Sequence, residues 1–390
     1  MGETITKQEV KIRVKRLQNE LQKIEMDCCL ISSNVNIFYL TGMIFSGYLY
    51  VPAEGELHYF VKRPEGIVCE NVDYIYKPEQ IPNLLKNKGL KLPETLLLEA
   101  DELVYSEYIR LHSVFLPKRT GNATTLLRGL RSIKTQFEIE QLKISAKKHC
   151  EVYSEIKKCY RKGISDLDLQ IEIEYIMRQR GSIGIFRAFG SNMDNFMGTV
   201  LAGENAAAPA PYDFALGGAG NSAMPIGANG TILKDGMTVM VDMAGNFSPY
   251  ITDMSRVFSV GKIDQKAINA HNVSLLIHNE LKNIAKPGFS CADLYNETYK
   301  IVEKENLSPY FMGTMQQAKF VGHGIGLQIN EPPVLSPRSK EILQKNMVFA
   351  FEPKFVIPEI GAVGIENSYL VTDSGIENLT IFEENIIPFQ

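Results

Sequence analysis

The sequence lacks the features that identify membrane, secreted and nucleic-acid-binding proteins. No stretch reaches the roughly 20 apolar residues that span a bilayer, and the N-terminal segment MGETITKQEVKIRVKRL has no apolar region typical of a secretory signal. Neither sign of charge forms a long block, since 41 Lys and Arg stand against 45 Asp and Glu, for a net charge of −4. We therefore expect no nucleic-acid partner and no membrane partner.

The sequence also lacks the motifs of several common sites. Its six cysteines are dispersed without a CxxC pair in a chain too long to depend on disulfide bonds, so we expect reduced thiols and a cytoplasmic location. There is no HExxH helix and no nucleophile elbow around a serine. The glycine-rich stretch LGGAGNSAMPIG is not followed by Lys-Ser or Lys-Thr, which argues against a nucleotide-binding loop.

The apolar sequence that is present suffices for two domains. At 390 residues with 45% hydrophobic residues, the chain exceeds the usual size of a single core. The first part begins with an amphipathic helix that has Val10 and Leu17 on its apolar face. A strand-like run, CCLISS, and a hairpin around Glu54-Gly55 follow. We predict an α/β domain over residues 1–128.

The second domain is predicted over residues 129–390 and combines helices with strands, as an α+β fold does. A helical pattern begins at Thr135, and Ser165 and Ser290 are suited to be the N-caps of two further helices. VMVDMAG and YITDMSRVFSV are strand-like runs around Asn246. The last part of the chain returns to strands in KFVGHGIGL, MVFAFEPKF and VGIENSYLVT.

Four acidic residues lie in these strand-like runs. Asp242 and Asp253 are 11 positions apart in the arms of one proposed hairpin, and Glu352 and Glu366 are 14 apart in a similar arrangement with a Pro-Gly turn. Four converging carboxylates would repel one another, and burial would raise their pKa values. A pair of divalent cations would remove this conflict, and His323, between two glycines, would supply a nitrogen ligand.

The motifs VDMAG, TDMSR, GHGIGL, FEP and GIEN, in this order and spacing, resemble those of the pita-bread superfamily, which includes methionine aminopeptidase, aminopeptidase P, prolidase and creatinase. The segment NIFYLTG is similar to the signature of the N-terminal domain of the last three. The resemblance covers most of the chain. It implies a creatinase-like N-terminal domain, a pita-bread catalytic domain closest to Xaa-Pro peptidases, and a homodimer.

The resemblance also implies a role for each ligand. Asp242 would bind one of two divalent ions, His323 and Glu352 would bind the other, and Asp253 and Glu366 would bridge both. Such ions activate water and polarise the scissile carbonyl, and Glu352 would act beside His323 as general base and acid. Four oxygen donors and one imidazole suit Mn, Co, Fe or Zn.

Four positions near the expected substrate pocket depart from the pattern of the prolidase and aminopeptidase P branch. Ile226 and Asn330 stand where histidines are common, and Gly364 stands where an arginine is frequent. Lys319 lies four residues before His323, where some aminopeptidases P have a histidine. We expect an apolar pocket wall at Ile226 and one donated hydrogen bond from Asn330, and therefore an altered substrate specificity.

Three functions remain open on the sequence alone. The first is a metal-dependent peptidase of the Xaa-Pro dipeptidase or aminopeptidase type, acting on short peptides or small amides. The second is a non-peptidase hydrolase or lyase that uses the same metal centre on a small molecule, and the missing histidines leave it open. The third is a catalytically silent binding module, which would not need four converging acids.

Overall fold

The computed structural model describes residues 5–185, 187–190, 193 and 196–389. Its contacts divide the chain into two compact units, one ending at Arg131 and the other beginning at Ser132. The sequence-based boundary after residue 128 stays a prediction. Among the described residues, no helix has both the length and the apolar character needed to cross a membrane.

The N-terminal unit is a mixed sheet with helices. Its helices are α1 (Lys7–Lys23), α2 (Asn34–Thr41), α3 (Ile81–Asn87), α4 (Tyr105–Phe115) and α5 (Thr124–Ser132). Its strands are β1 (Cys28–Ile31), β2 (Ser46–Pro52), β3 (His58–Arg63), β4 (Val72–Tyr74), β5 (Thr95–Leu98) and β6 (Arg119–Asn122). The strand order is β4-β3-β2-β1-β5-β6, and the predicted hairpin is the antiparallel pair β2 and β3.

The buried side of α1 differs from the predicted apolar face. Leu17 is fully buried, but Val10 is only half-buried. Arg13 is buried in line with Leu17, where its Nε donates to Glu9 Oε1 at 2.6 Å and its Nη1 to the carbonyl of Tyr39 at 2.9 Å. The charge-assisted hydrogen bonds of this pair offset the cost of burying it.

The C-terminal unit has three sheets. Its helices are α6 (Gln136–Tyr153), α7 (Asp166–Gln179), α8 (Gln265–Ile284) and α9 (Cys291–Lys304). Its strands are β7 (Gly198–Ala202), β8 (Thr238–Gly245), β9 (Thr252–Ser259), β10 (Gly322–Gly324), β11 (Glu331–Val334), β12 (Val348–Phe351), β13 (Lys354–Ile357), β14 (Gly361–Gly364), β15 (Asn367–Val371), β16 (Ile376–Asn378) and β17 (Ile387–Pro388). The sheets have the orders β17-β9-β8-β7, β11-β10-β12-β15-β16 and β13-β14.

Three helices of this unit begin where the sequence predicts, and the helices cover the sheets. Thr135, Ser165 and Ser290 each accept a hydrogen bond from the backbone three residues later, which satisfies an otherwise unpaired N–H of the first turn. Helix α6 packs on β8 and β9, and α8 packs on β13 and β14. Apolar side chains buried between these layers form large core clusters among the described residues.

The second predicted hairpin is more elaborate than the sequence indicates. Strands β12 and β15 pair, but the chain between them forms its own ladder of β13 and β14. Glu352 and Glu366 lie in the two links where the chain passes from one ladder to the other. A bridge between Ser255 and Glu366 connects this region to β9.

Candidate metal centre

Asp242 and Asp253 lie on one face of the β8–β9 hairpin. In the antiparallel register Asp242 is opposite Ser255, and Ala244 is opposite Asp253. Because side chains alternate between the two faces of a strand, the carboxylates are diagonal neighbours on the same face. The hairpin therefore directs both acids to the same side.

The sheet that contains β10, β12 and β15 supplies the other three side chains. His323 in β10 is opposite Ala350 in β12, and Glu352 lies two positions further along, on the same face. Glu366 immediately precedes β15, and its backbone N–H donates to the carbonyl of Ser255 in β9 at 3.2 Å. That hydrogen bond brings the two sheets together at the acids.

These side chains form two overlapping groups that could bind a metal ion. Ligand atoms of Asp253, His323 and Glu366 lie within 4.8 Å of one another, and so do carboxylate oxygens of Asp242, Glu352 and Glu366. The Nε2 atom of His323 is 3.5 Å from Glu352 Oε1 and 3.8 Å from Asp253 Oδ2. Glu366 belongs to both groups, as a bridging ligand would.

A lysine that the sequence analysis missed lies inside the second group. The ammonium of Lys354 donates to Asp242 Oδ2 at 2.7 Å, to Glu352 Oε2 at 2.7 Å and to Glu366 Oε2 at 2.9 Å. The Lys354 side chain is 0% exposed. The sequence contains a signal for this lysine. Side chains two positions apart in an extended chain point to the same side, and Lys354 follows Glu352 by two positions.

Neighbouring polar groups hold the acids in place. Ser255 Oγ donates to Glu366 Oε2 at 2.7 Å, and the buried Arg256 donates through Nη1 to the carbonyl of Glu366 at 2.8 Å. The backbone N–H of Asp253 donates to Ser368 Oγ at 3.0 Å, and that hydroxyl donates to the carbonyl of Asp253 at 2.8 Å. The acids of the candidate metal centre therefore lie on paired strands or in the short links beside them.

Burial dominates the electrostatics of the acids. It raises the pKa of Asp253 well above the usual value, and the carboxylates of Glu366, Asp242 and Glu352 raise it further. Burial also raises the pKa of Asp242, which the ammonium of Lys354 opposes. For Lys354, burial lowers the pKa, but Asp242, Glu352 and Glu366 outweigh that effect and raise it well above its usual value.

A divalent cation fits the group around His323. Glu366 Oε1 is buried and has no hydrogen-bond partner among the described residues, which is costly for a carboxylate oxygen unless a cation lies beside it. Lys354 forms ion pairs with three of the acids but, within the described part of the chain, not with Asp253. A cation held by Asp253, His323 and Glu366 would balance the charge of the Asp253 carboxylate and give Glu366 Oε1 a partner.

Comparison with known families decides what kind of protein this is. Residues 140–373 match the family described as metallopeptidase family M24, and residues 13–133 match the creatinase/prolidase N-terminal domain. The chain belongs to metallopeptidase family M24. This confirms the predicted fold, with a creatinase-like N-terminal domain before a pita-bread domain, and it makes the protein a metal-dependent hydrolase.

Individual relatives of this M24 protein match it along its whole length. The Xaa-Pro dipeptidase of Pyrococcus furiosus is 26% identical over 394 residues, covering 97% of this chain and 100% of the relative. The Xaa-Pro dipeptidase of Pyrococcus horikoshii is 25% identical over 388 residues, covering 96% and 98%. A solved structure of an Xaa-Pro dipeptidase from Bacillus anthracis superposes with a TM-score of 0.79 at 22% identity, covering 97% and 99%, which shows the shared fold.

The four predicted pocket positions have different environments in this M24 domain. Ile226 is buried and Lys319 is exposed. Gly364 lies opposite Lys354 in the β13–β14 ladder, where it has no side chain to offer a substrate.

Asn330 is hydrogen-bonded to the backbone of Phe189, and the expected hydrogen bond to a substrate stays a prediction. Its Nδ2 donates to the carbonyl of Phe189 at 2.9 Å, and its Oδ1 accepts from the N–H of Phe189 at 2.7 Å. The amide is therefore engaged in holding the segment 187–190 against the loop that follows β10.

Proposed function

We propose that the chain is a peptidase of the prolidase type that cleaves short peptides, with a substrate preference that differs from that of an ordinary Xaa-Pro dipeptidase. The observation that carries the proposal is the convergence of Asp253, His323, Glu352 and Glu366, with Glu366 Oε1 left for a cation. The relatives named Xaa-Pro dipeptidase, matched over their full length, support the substrate class.

We assign the metal-binding role to the residues predicted from the sequence. Asp253, His323, Glu352 and Glu366 would hold a divalent ion of the Mn, Co, Fe or Zn type, which suits oxygen donors with one imidazole. Such an ion activates water and polarises a carbonyl. The sequence predicts two ions, with Asp242 as a further ligand. That prediction considers the five ligands but not the ammonium of Lys354 beside them.

Glu352 is the residue we assign to proton transfer. Its Oε2 accepts from the ammonium of Lys354 at 2.7 Å, which orients this carboxylate. Its Oε1 is 3.5 Å from His323 Nε2, and we assign to this carboxylate the task of taking a proton from water and returning it to the leaving amine. Lys354 is a positioning residue in this scheme.

The altered preference rests on the missing polar side chains. Ile226 is buried and apolar, and Gly364 has no side chain. The amide of Asn330 binds the backbone of Phe189. Because the imidazole and guanidinium groups that commonly bind a dipeptide carboxylate are missing at these positions, we propose a substrate less anionic than a free dipeptide.

The test is a hydrolysis screen with the full chain loaded with Mn, Co or Zn. Dipeptides, Xaa-Pro tripeptides and small amides are compared, and metal-dependent release of an amino acid or peptide is the expected result. Glu352→Gln should lose most of that turnover, while Lys345→Ala, at an exposed ion pair with Asp373, should keep it. Turnover only of non-peptide amides, or none with any metal, contradicts a peptidase.

We also propose a cytoplasmic homodimer. The six cysteines have no disulfide partners, and Cys28, Cys29, Cys159 and Cys291 are buried, as reduced structural thiols usually are. The dimer rests on the resemblance to prolidase and aminopeptidase P.

A further inference from the structure

The ammonium of Lys354 has the position and the contacts of a bound cation. Its three N–H groups donate to one carboxylate oxygen each, from Asp242, Glu352 and Glu366, at 2.7 to 2.9 Å. An ammonium has three donors and no acceptor, so its hydrogen-bonding capacity is fully used. These oxygens reach the ammonium from three different segments of the chain, as the ligands of a metal ion do.

This arrangement conflicts with a second divalent ion. Asp242 Oδ2 and Glu366 Oε2, which would face an ion bound at Asp242, are the atoms that accept from Lys354. Within the described residues no water-sized gap separates the ammonium from these oxygens, since each contact is at hydrogen-bond length. A cation added among them would also be repelled by the ammonium at short range in a buried setting.

The backbone of Lys354 is fixed, and its side chain is fully buried. Lys354 is opposite Gly364 in the β13–β14 ladder, and its carbonyl accepts from the N–H of Met312 at 2.9 Å. The side chain is 0% exposed, so moving the ammonium out of the acids would leave a buried charge without partners. That loss is strongly unfavourable.

Charge balance is compatible with one further divalent cation. Lys354 pairs with Asp242, Glu352 and Glu366, and its single positive charge leaves most of the charge of these acids and Asp253 unbalanced. One divalent ion beside His323 would leave about one negative charge in the cluster. Glu366 Oε1 has no hydrogen-bond partner among the described residues, whereas Oε2 accepts from Lys354.

We infer that the ε-ammonium of Lys354 takes the place of one of the two divalent cations, so that the site binds a single ion through Asp253, His323, Glu352 and Glu366. Asp242 then serves to hold Lys354. This inference deepens the proposed peptidase function, and it rests on that function only for the presence of the remaining ion.

The test counts metal ions in the full chain. Wild type and Lys354→Ala are incubated with excess Mn, passed through a desalting column, and measured by elemental analysis and by electron paramagnetic resonance. We expect about one ion per chain with a mononuclear signal in wild type. Lys354→Ala opens the space and removes the charge, so we expect about twice as much Mn and an exchange-coupled signal from bridged ions.

Controls separate the role of the ammonium from a general effect of losing a lysine. Lys345→Ala removes an exposed lysine that also pairs with a carboxylate, and its metal count should equal that of wild type. Should Lys354→Ala fail to fold, the wild-type count still decides the matter. Two tightly held, exchange-coupled ions in wild type would overturn the inference, and so would equal counts in wild type and a folded Lys354→Ala.

The inference and the proposed function can fail separately. Two ions in wild type together with peptide turnover would remove the inference and leave the peptidase standing. One ion, rising to two in Lys354→Ala, without turnover of any peptide would support the inference and remove the peptidase. Wild type without any retained ion would contradict both.

Discussion

Lys354 is opposite Gly364 in the β13–β14 ladder, and a Cβ at position 364 would lie 3.1 Å from Lys354 Cα and 2.6 Å from the carbonyl oxygen of Pro353. Gly364 also has φ +114°, which side-chain-bearing residues rarely adopt. The position of Lys354 among the acids thus depends on a neighbouring residue without a side chain.

Gly364→Ala should therefore destabilise the C-terminal unit. Gly236→Ala is the matched control, because Gly236 has φ +92° but open space around its Cβ position. We expect Gly364→Ala to lose about 1–3 kcal/mol more of the free energy of unfolding than Gly236→Ala, as overpacked sites do. Urea unfolding followed by circular dichroism measures both, and equal losses would show that the close contact is tolerated.

Asp253→Asn should abolish metal binding. The substitution keeps the size of the side chain but removes a charged ligand from the group with His323 and Glu366. Elemental analysis after Mn loading should show almost no retained ion. Asp213→Asn, at an exposed position, should retain the wild-type amount. Retention by Asp253→Asn with unchanged circular dichroism would place the ion elsewhere.

Activity on Ala-Pro should be weak. Ile226 and Gly364 provide no polar group, Asn330 binds the backbone of Phe189, and one missing oxyanion donor costs about 10²- to 10³-fold in rate. With Mn, we expect kcat/KM for Ala-Pro below roughly 10⁴ M⁻¹s⁻¹, the lower end of the usual enzyme range. A value inside that range would restore ordinary Xaa-Pro dipeptidase specificity.

The free energy of unfolding should decrease as the pH is lowered, because a histidine in α8 is buried in its neutral form. His278 Nε2 lies 3.1 Å from the carbonyl of Ile365, and Nδ1 lies 3.0 Å from Tyr369 Oη. Burial is the largest cause that lowers the pKa of His278, to about 3. Below pH ~6.5 the unfolded chain gains a proton that the folded chain does not, so the free energy of unfolding decreases by about 1.4 kcal/mol per pH unit.

His278→Gln tests this relationship, because it removes the titrating group while keeping a donor for the carbonyl of Ile365. Urea unfolding between pH 7 and pH 5 should show a shallower decrease in the variant than in wild type. Parallel decreases would mean that other groups account for the whole pH dependence.

The homodimer is tested by light scattering. At micromolar concentration the mass should be about twice the 43.7 kDa of one chain. A mass near that of one chain would refute the prediction, which rests on resemblance to prolidase and aminopeptidase P.

The sequence alone determined several capped helices, the strands that carry the aspartates and the acids that converge. The caps at Thr135, Ser165 and Ser290 and the strands around Asp242 and Asp253 were predictable because capping and the strand period are local properties. The family motifs then indicated the metal centre.

The tertiary structure decided what surrounds those acids. In the sequence, Lys354 is only a charged residue in a strand-like run. The packing of β8, β13 and the link before β15 places its ammonium among Asp242, Glu352 and Glu366. The polar partners of Asn330 lie 141 positions away along the chain. Contacts of this kind depend on the packing of distant segments, which local periodicity does not encode.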